Sequence, residues 1–135
     1  MRIIKLSADF YNRYGSKPEI LQKTDRPYSC LAMSVDGITY AIPLRHHIKH
    51  PYCFHTIGVA GIDFTKAIPL LENNFASDED VRIDSKEWSI LKRHEQDIYN
   101  SFKKYLFRYR KAKRHPDQPQ NQNILKYSSL QYFDV

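Results

Sequence analysis

The chain has 135 residues, 41% of them hydrophobic and 27% charged, with a formal net charge of +6. That length and balance exclude a disordered tail and a multi-domain enzyme, and predict one globular domain over residues 1–135. No run reaches the roughly 20 apolar residues of a membrane span, the N-terminus turns polar too early for a secretory signal, and two cysteines are too few for a disulfide scaffold. The expected home is the cytoplasm, with no membrane partner.

In chain order, Ile3 to Leu6 reads as a strand. Ser7 is placed to cap a short helix over Ala8 to Tyr14 that stops at Gly15. Ser16 to Pro27 is a proline-punctuated loop, with room for a helical turn near Glu19 to Gln22. Tyr28 to Val35 and Ile38 to Leu44 form two strands around Asp36-Gly37, the pair favoured by a two-residue primed hairpin turn. Pro43 has no N–H for a ladder, so this second strand is expected to leave the sheet there or to lie at an edge. Cys53 to Val59 and Phe64 to Leu70 read as further strands joined by Ala60 to Asp63. Asn73 to Asp80 is an acidic loop, and Val81 to Ile83 a last short strand.

One long helix is expected from an N-cap at Ser85 to the stop at Pro116. Trp88, Leu91, Ile98, Phe102, Tyr105 and Tyr109 recur along one face, and the favoured role of that aromatic stripe is core packing. Asp117 to Asn123 reads as a polar linker and Ile124 to Phe133 as a docking strand or short helix. Short antiparallel strands with one long helix indicate an α+β fold whose sheet curls into a small barrel.

Charge is uneven. Eight acids lie between Glu72 and Asp97, whereas Lys103, Lys104, Arg108, Arg110, Lys111, Lys113 and Arg114 follow with no acid among them. Such a cluster suits a polyanion, or simply a solvated helix face. His46, His47, His50 and His55 fall within ten residues, with Arg45 and Lys49 among them and no carboxylate between Tyr40 and Ile62. The His-His-x-x-His spacing invites a metal, but no glutamate base accompanies it and neighbouring cations oppose it, so no metal or other cofactor is expected. Cys53 and His55 make a weak thiol pair with nothing to orient the histidine. Metal-free RNA cleavage needs what is present: imidazoles for proton transfer near neutral pH, and arginine and lysine for the phosphorane oxygens. A loop that merely binds phosphate fits the same spacing.

Three blocks, Arg26-Pro27-Tyr28-x-Cys30-Leu31, Asp36-Gly37-x-x-Tyr40 through His50, and Gly61-Ile62-Asp63-Phe64-Thr65-Lys66-Ala67, together resemble the toxins of type III toxin–antitoxin systems. The nearest branch is TenpN, with ToxN and AbiQ more distant, and the matching region covers residues 26 to 70. The resemblance implies a strongly curved antiparallel barrel, SH3-like and of the MazF/Kid type, decorated by helices. It also implies an endoribonuclease that cleaves messenger RNA, processes a repeat-encoded pseudoknotted antitoxin RNA, and is held by it in a protein–RNA hetero-oligomer. In the ToxN branch a Thr-Ser-Pro-Lys run carries active-site residues after the Pro-Leu strand end. Here Arg45 and His46 replace the hydroxyls and Lys49 falls where the lysine is expected.

The catalytic candidates are therefore Arg45, His46, His47 and Lys49, with His46 or His47 as general base or acid. RNA-binding candidates are Arg26, Tyr28, His50, His55 and Lys66, with Lys103, Lys104, Arg108, Arg110 and Lys111 cradling the antitoxin backbone. The products expected are a 2′,3′-cyclic phosphate and a 5′-hydroxyl. The alternative is a non-catalytic RNA- or DNA-binding regulatory module; a third reading is a protein-interaction domain with an incidental basic helix.

Overall fold

A computed structural model describes residues 1–22 and 28–135. Arg26 lies outside the described residues, as does the end of the loop before Tyr28. The order is β1 (Arg2–Lys5), α1 (Ala8–Tyr14), β2 (Ser29–Val35), β3 (Ile38–Arg45), β4 (Cys53–His55), β5 (Gly61–Asp63) and β6 (Ile68–Pro69). Then follow α2 (Ser85–Arg93), α3 (Glu95–Arg114) and α4 (Pro119–Tyr127), with short 3-10 turns at Phe64–Lys66, Asn73–Phe75 and Ser129–Tyr132.

The architecture is α+β, with six antiparallel strands and four helices among the described residues. Among the described residues no helix is long and apolar enough to cross a membrane. The ladder runs β1-β2-β3-β5-β4, with β6 also pairing to β3. It is an open path rather than a closed barrel. At its β1 end the chain beyond β6 comes back alongside: Leu6 bridges Ala76, and the Ser77 N–H donates to Lys5 O at 2.8 Å.

Local chemistry explains the parts that form as expected. Ser7 accepts from the Phe10 N–H at 3.1 Å and so caps α1. Asp36 and Gly37 take φ of 51° and 83°, the paired positive values of a type I′ turn. β2 buries both faces. Leu31, Met33 and Val35 join Tyr40 and Ile42 against Ile98, Phe102 and Tyr105 of α3, while Cys30, Ala32 and Ala41 join Phe10, Phe75 and Phe133 on the other side. A sheet covered on two faces loses the polar alternation of a half-exposed one, hence the near-continuous apolar run. The aromatic stripe of α3 is core, as its spacing predicts.

Several expectations are corrected. β3 does not end at Pro43 and is central rather than an edge. It pairs with β6 at Tyr40 and Ala41 and with β5 at Leu44 and Arg45, so Pro43 sits between two partners, where its missing N–H breaks no ladder bond. The expected joint at Ala60–Asp63 contains a strand, β5, while Gly58, at φ 59°, turns the chain within the region read as strand. Phe64–Lys66 is a 3-10 turn and 81–83 is not a strand.

The single long helix is two. Asp84, not Ser85, caps α2, and α3 restarts after His94, whose ring lies 5.5 Å from that of Phe54. Glu95 and Asp97 in the new first turn suit the exposed N–H dipole there. The stretch read as a polar linker is α4, with Pro119 at a helix start, where a proline costs nothing.

Gly61 pairs with Arg45 on one side and His55 on the other. A Cβ there would fall 2.1 Å from Phe54 O. Gly61→Ala is expected to destabilise the fold by about 2 kcal/mol or more, read from the denaturant midpoint at constant m-value. A change under about 0.5 kcal/mol would show that this close approach is not needed.

Candidate functional site

The site is built at the end of β3, where Arg45 lies next to β5. Asp63, the last residue of β5, is fully buried. Its Oδ1 accepts from the Thr65 N–H at 3.0 Å and the Thr65 hydroxyl at 2.6 Å, capping the 64–66 turn. Its Oδ2 accepts from Arg45 Nη1 at 2.8 Å. His50 Nε2 lies 3.1 Å from Oδ1, at ion-pair distance but off the line of a well-formed hydrogen bond. The same ring accepts the Tyr52 N–H on Nδ1 at 3.1 Å, which leaves its proton on Nε2, toward Asp63.

Burial alone would raise the Asp63 carboxyl. His50, Thr65 and Arg45 more than reverse that and hold it at about 2. Asp63 is thus a charged anchor beneath the basic segment. Arg45 is about a third exposed, with one nitrogen tied to Asp63 and the rest of the fork available.

Arg45 and His46 line a cleft of about 420 Å³. Lys5, Ser29, Asp80, Arg82, Asp84 and Glu87 line it with them. The stretch without carboxylates in sequence is therefore not without them in space. Two of these acids have local work: Asp84 accepts from the Glu87 N–H at 3.1 Å, and Glu87 accepts from the Thr56 hydroxyl at 2.5 Å.

The other candidates separate. His47 and Lys49 are exposed and do not line this cleft. Between them Ile48 is buried, with its N–H bonded to Val59 O at 3.0 Å, which fixes the turn. His50 sits against Asp63 rather than on this cleft, with Nδ1 accepting the Tyr52 N–H and Nε2 facing the carboxylate.

His55 is exposed at the end of β4, with Nε2 3.5 Å from Cys53 Sγ. Burial, and then the charge of Asp63, push the Cys53 thiol upward, the wrong direction for a thiolate nucleophile. Among the described residues no three His, Cys, Asp or Glu side chains converge as a metal site.

Lys66 is taken up by an ion pair with Glu19 and a bond to Tyr127 O at 2.8 Å. Tyr28 sits with Tyr11, Cys30 and Lys66 around a separate small cleft. On α3, Arg108 bonds Asn121 Oδ1 at 2.7 Å and Gln120 O at 2.9 Å, tying α4 in place. Lys103 lies 3.7 Å from Asp36, Arg110 lies beside the Tyr40 phenol, and Lys104 and Lys111 are exposed.

Lys104 and Arg108 line a second cleft of about 310 Å³ with Tyr52, Cys53 and Phe64. Arg45 and His46 thus line one cleft, and Lys104 and Arg108 of α3 line another.

Sequence reasoning missed Asp63, Lys5 and Arg82. Asp63 had a readable signal: an aspartate at a strand end with threonine two residues on, the pattern of a side-chain-capped turn. Lys5 and Arg82 had none, because tertiary packing alone brings them to Arg45. Comparison with protein-family models, with curated proteins and with solved structures finds no match.

Proposed function

We propose that this chain is a metal-independent endoribonuclease, the toxin of a type III toxin–antitoxin system acting in the cytoplasm. The observation that carries the reading is Arg45, held through one guanidinium nitrogen on the fully buried Asp63 and lining one cleft together with His46. A guanidinium held in advance suits phosphate oxygens whose charge grows in the transition state. The exposed imidazole of His46 on the same cleft is a side chain of the kind that accepts or donates a proton in general acid–base catalysis.

In the proposed reaction the RNA 2′-oxygen gives its proton to a base as it bonds to phosphorus. The P–O5′ bond breaks, and an acid returns a proton to the departing 5′-oxygen. The products are a 2′,3′-cyclic phosphate and a 5′-hydroxyl. His46 performs one of the two transfers; His47, outside the cleft, is the weaker candidate.

The finer fold assignment, a curled barrel of the SH3-like MazF/Kid type, belongs to the same reading. Its support is the return of residues 75–77 to β1, with the Ser7 N–H donating to Phe75 O at 2.8 Å. The partners on this reading are messenger RNA as substrate and a repeat-encoded pseudoknotted RNA as inhibitor.

The test is to incubate the purified chain with RNA in a metal chelator and to analyse the fragment ends. Discrete fragments ending in cyclic phosphate are expected, with His46→Ala slowing their appearance by about 10²-fold or more. Intact RNA, or cleavage that the chelator abolishes, overturns the proposal.

A further inference from the structure

The solvent face of α3 breaks its own pattern at one position. Ile98, Phe102, Tyr105, Leu106, Tyr109 and Ala112 fill the buried face. The opposite face is charged or polar except for Phe107, which is 66% exposed, more than any other large apolar residue described. Lys104 lies three positions before it and Lys111 four after, flanking it on the helix surface, whereas Lys103 and Arg110, four before and three after, reach toward Asp36 and the Tyr40 phenol. Arg114 extends the row by a further turn. Among the described residues no ring or cation stacks on Phe107.

A lone exposed phenylalanine needs no explanation on an ordinary surface. Phe107 differs in its setting, because the row around it offers charge to a polyanion while the ring offers a flat apolar face. That combination matches single-stranded nucleic acid, in which phosphates track the cations and an unpaired base stacks on the ring. A duplex keeps its bases stacked internally and has none to offer.

We propose that Phe107 is a stacking platform for an unpaired base of a bound RNA, with Lys104 and Lys111 holding the flanking phosphates. The proposal rests on the RNA-binding part of the reading above and goes beyond it by requiring an unstacked nucleotide at this face. It is independent of cleavage, since the platform lies outside the Arg45 cleft.

The test uses a 2′-O-methyl oligouridylate, which lacks the attacking hydroxyl, and a 2′-O-methyl duplex of equal length. Phe107→Ala is expected to weaken single-strand binding roughly tenfold while leaving duplex binding and the salt slope unchanged. Lys104→Ala with Lys111→Ala should weaken both ligands and lower the single-strand salt slope by about 1.4. Phe107→Trp should preserve affinity and add bound-state fluorescence quenching beyond that of Trp88.

Unchanged single-strand affinity in Phe107→Ala, with the lysine variant weakened, overturns the platform and leaves RNA binding standing. No binding of either ligand by the unaltered chain overturns both.

Discussion

Replacing Arg45 with alanine is expected to lower single-turnover RNA cleavage by about 10²–10³-fold, the usual cost of losing one prearranged donor to a developing oxyanion. The loss should fall mainly on the chemical step, because a donor aimed at transition-state charge contributes little to ground-state binding. Arg45→Lys should recover only part of it. Lysine keeps the charge but presents no fork, and cannot hold Asp63 and a phosphate through one planar group. Cleavage within about threefold of the unaltered chain in Arg45→Ala would remove this residue from the mechanism.

Asp63→Asn is expected to cost about 3 kcal/mol of stability. The asparagine keeps the shape but leaves Arg45 and His50 facing a neutral amide in a buried setting, and removing one partner of a buried pair is expensive. The loss should depend on pH in a definite sense. Burial pushes the Asp63 carboxyl upward, but His50, Thr65 and Arg45 outweigh it and hold it at about 2, below the ordinary 3.8. Its charge therefore stabilises the fold fully above roughly pH 4 and progressively less as pH falls toward 2. The gap between the two stability curves should narrow by about 2 kcal/mol across that window. A constant gap from pH 5 to pH 2 in denaturant titrations would mean that Asp63 carries no such charge.

Where a structural feature is decided by neighbours in sequence, it could be read in advance. The Asp36-Gly37 turn needs only two residues that tolerate positive φ, and the Ser7 cap only a hydroxyl three residues before an N–H. The core stripe followed from helical spacing alone. Features decided by partners elsewhere could not be read. Nothing local to Leu91-Lys92-Arg93-His94 signals that its helix restarts where His94 meets Phe54.

The polarity of Asp117 to Asn123 points to a linker, yet Pro119 stands at a helix start, where a proline is tolerated, and the apolar anchor of that helix, Ile124, lies beyond the polar stretch. At the site, the Arg45–His46 segment was legible as basic and titratable. The local half of its anchor, the Asp63–Thr65 cap, is legible too, but the pairing of Asp63 with Arg45 is not, because it crosses 18 residues between two strands. The spread of the basic candidates has the same origin: Lys66 and Arg108 are cationic in sequence, and in the fold both are tied to intramolecular partners.

The turn that carries Thr65 is braced from far along the chain. Ser129 Oγ donates to Ala67 O at 2.5 Å and to Thr65 O at 3.2 Å, and Lys66 reaches the carbonyl of Tyr127. During synthesis the ribosome must add more than 60 residues after Thr65 before that brace exists. At roughly 5–20 residues per second the wait is several seconds. Throughout it the Asp63 cap and the Arg45 contact rest on the β3-β5-β4 ladder alone. On the proposed function, activity would therefore arrive late in translation, and a chain interrupted before Tyr127 would carry every proposed catalytic residue without this brace.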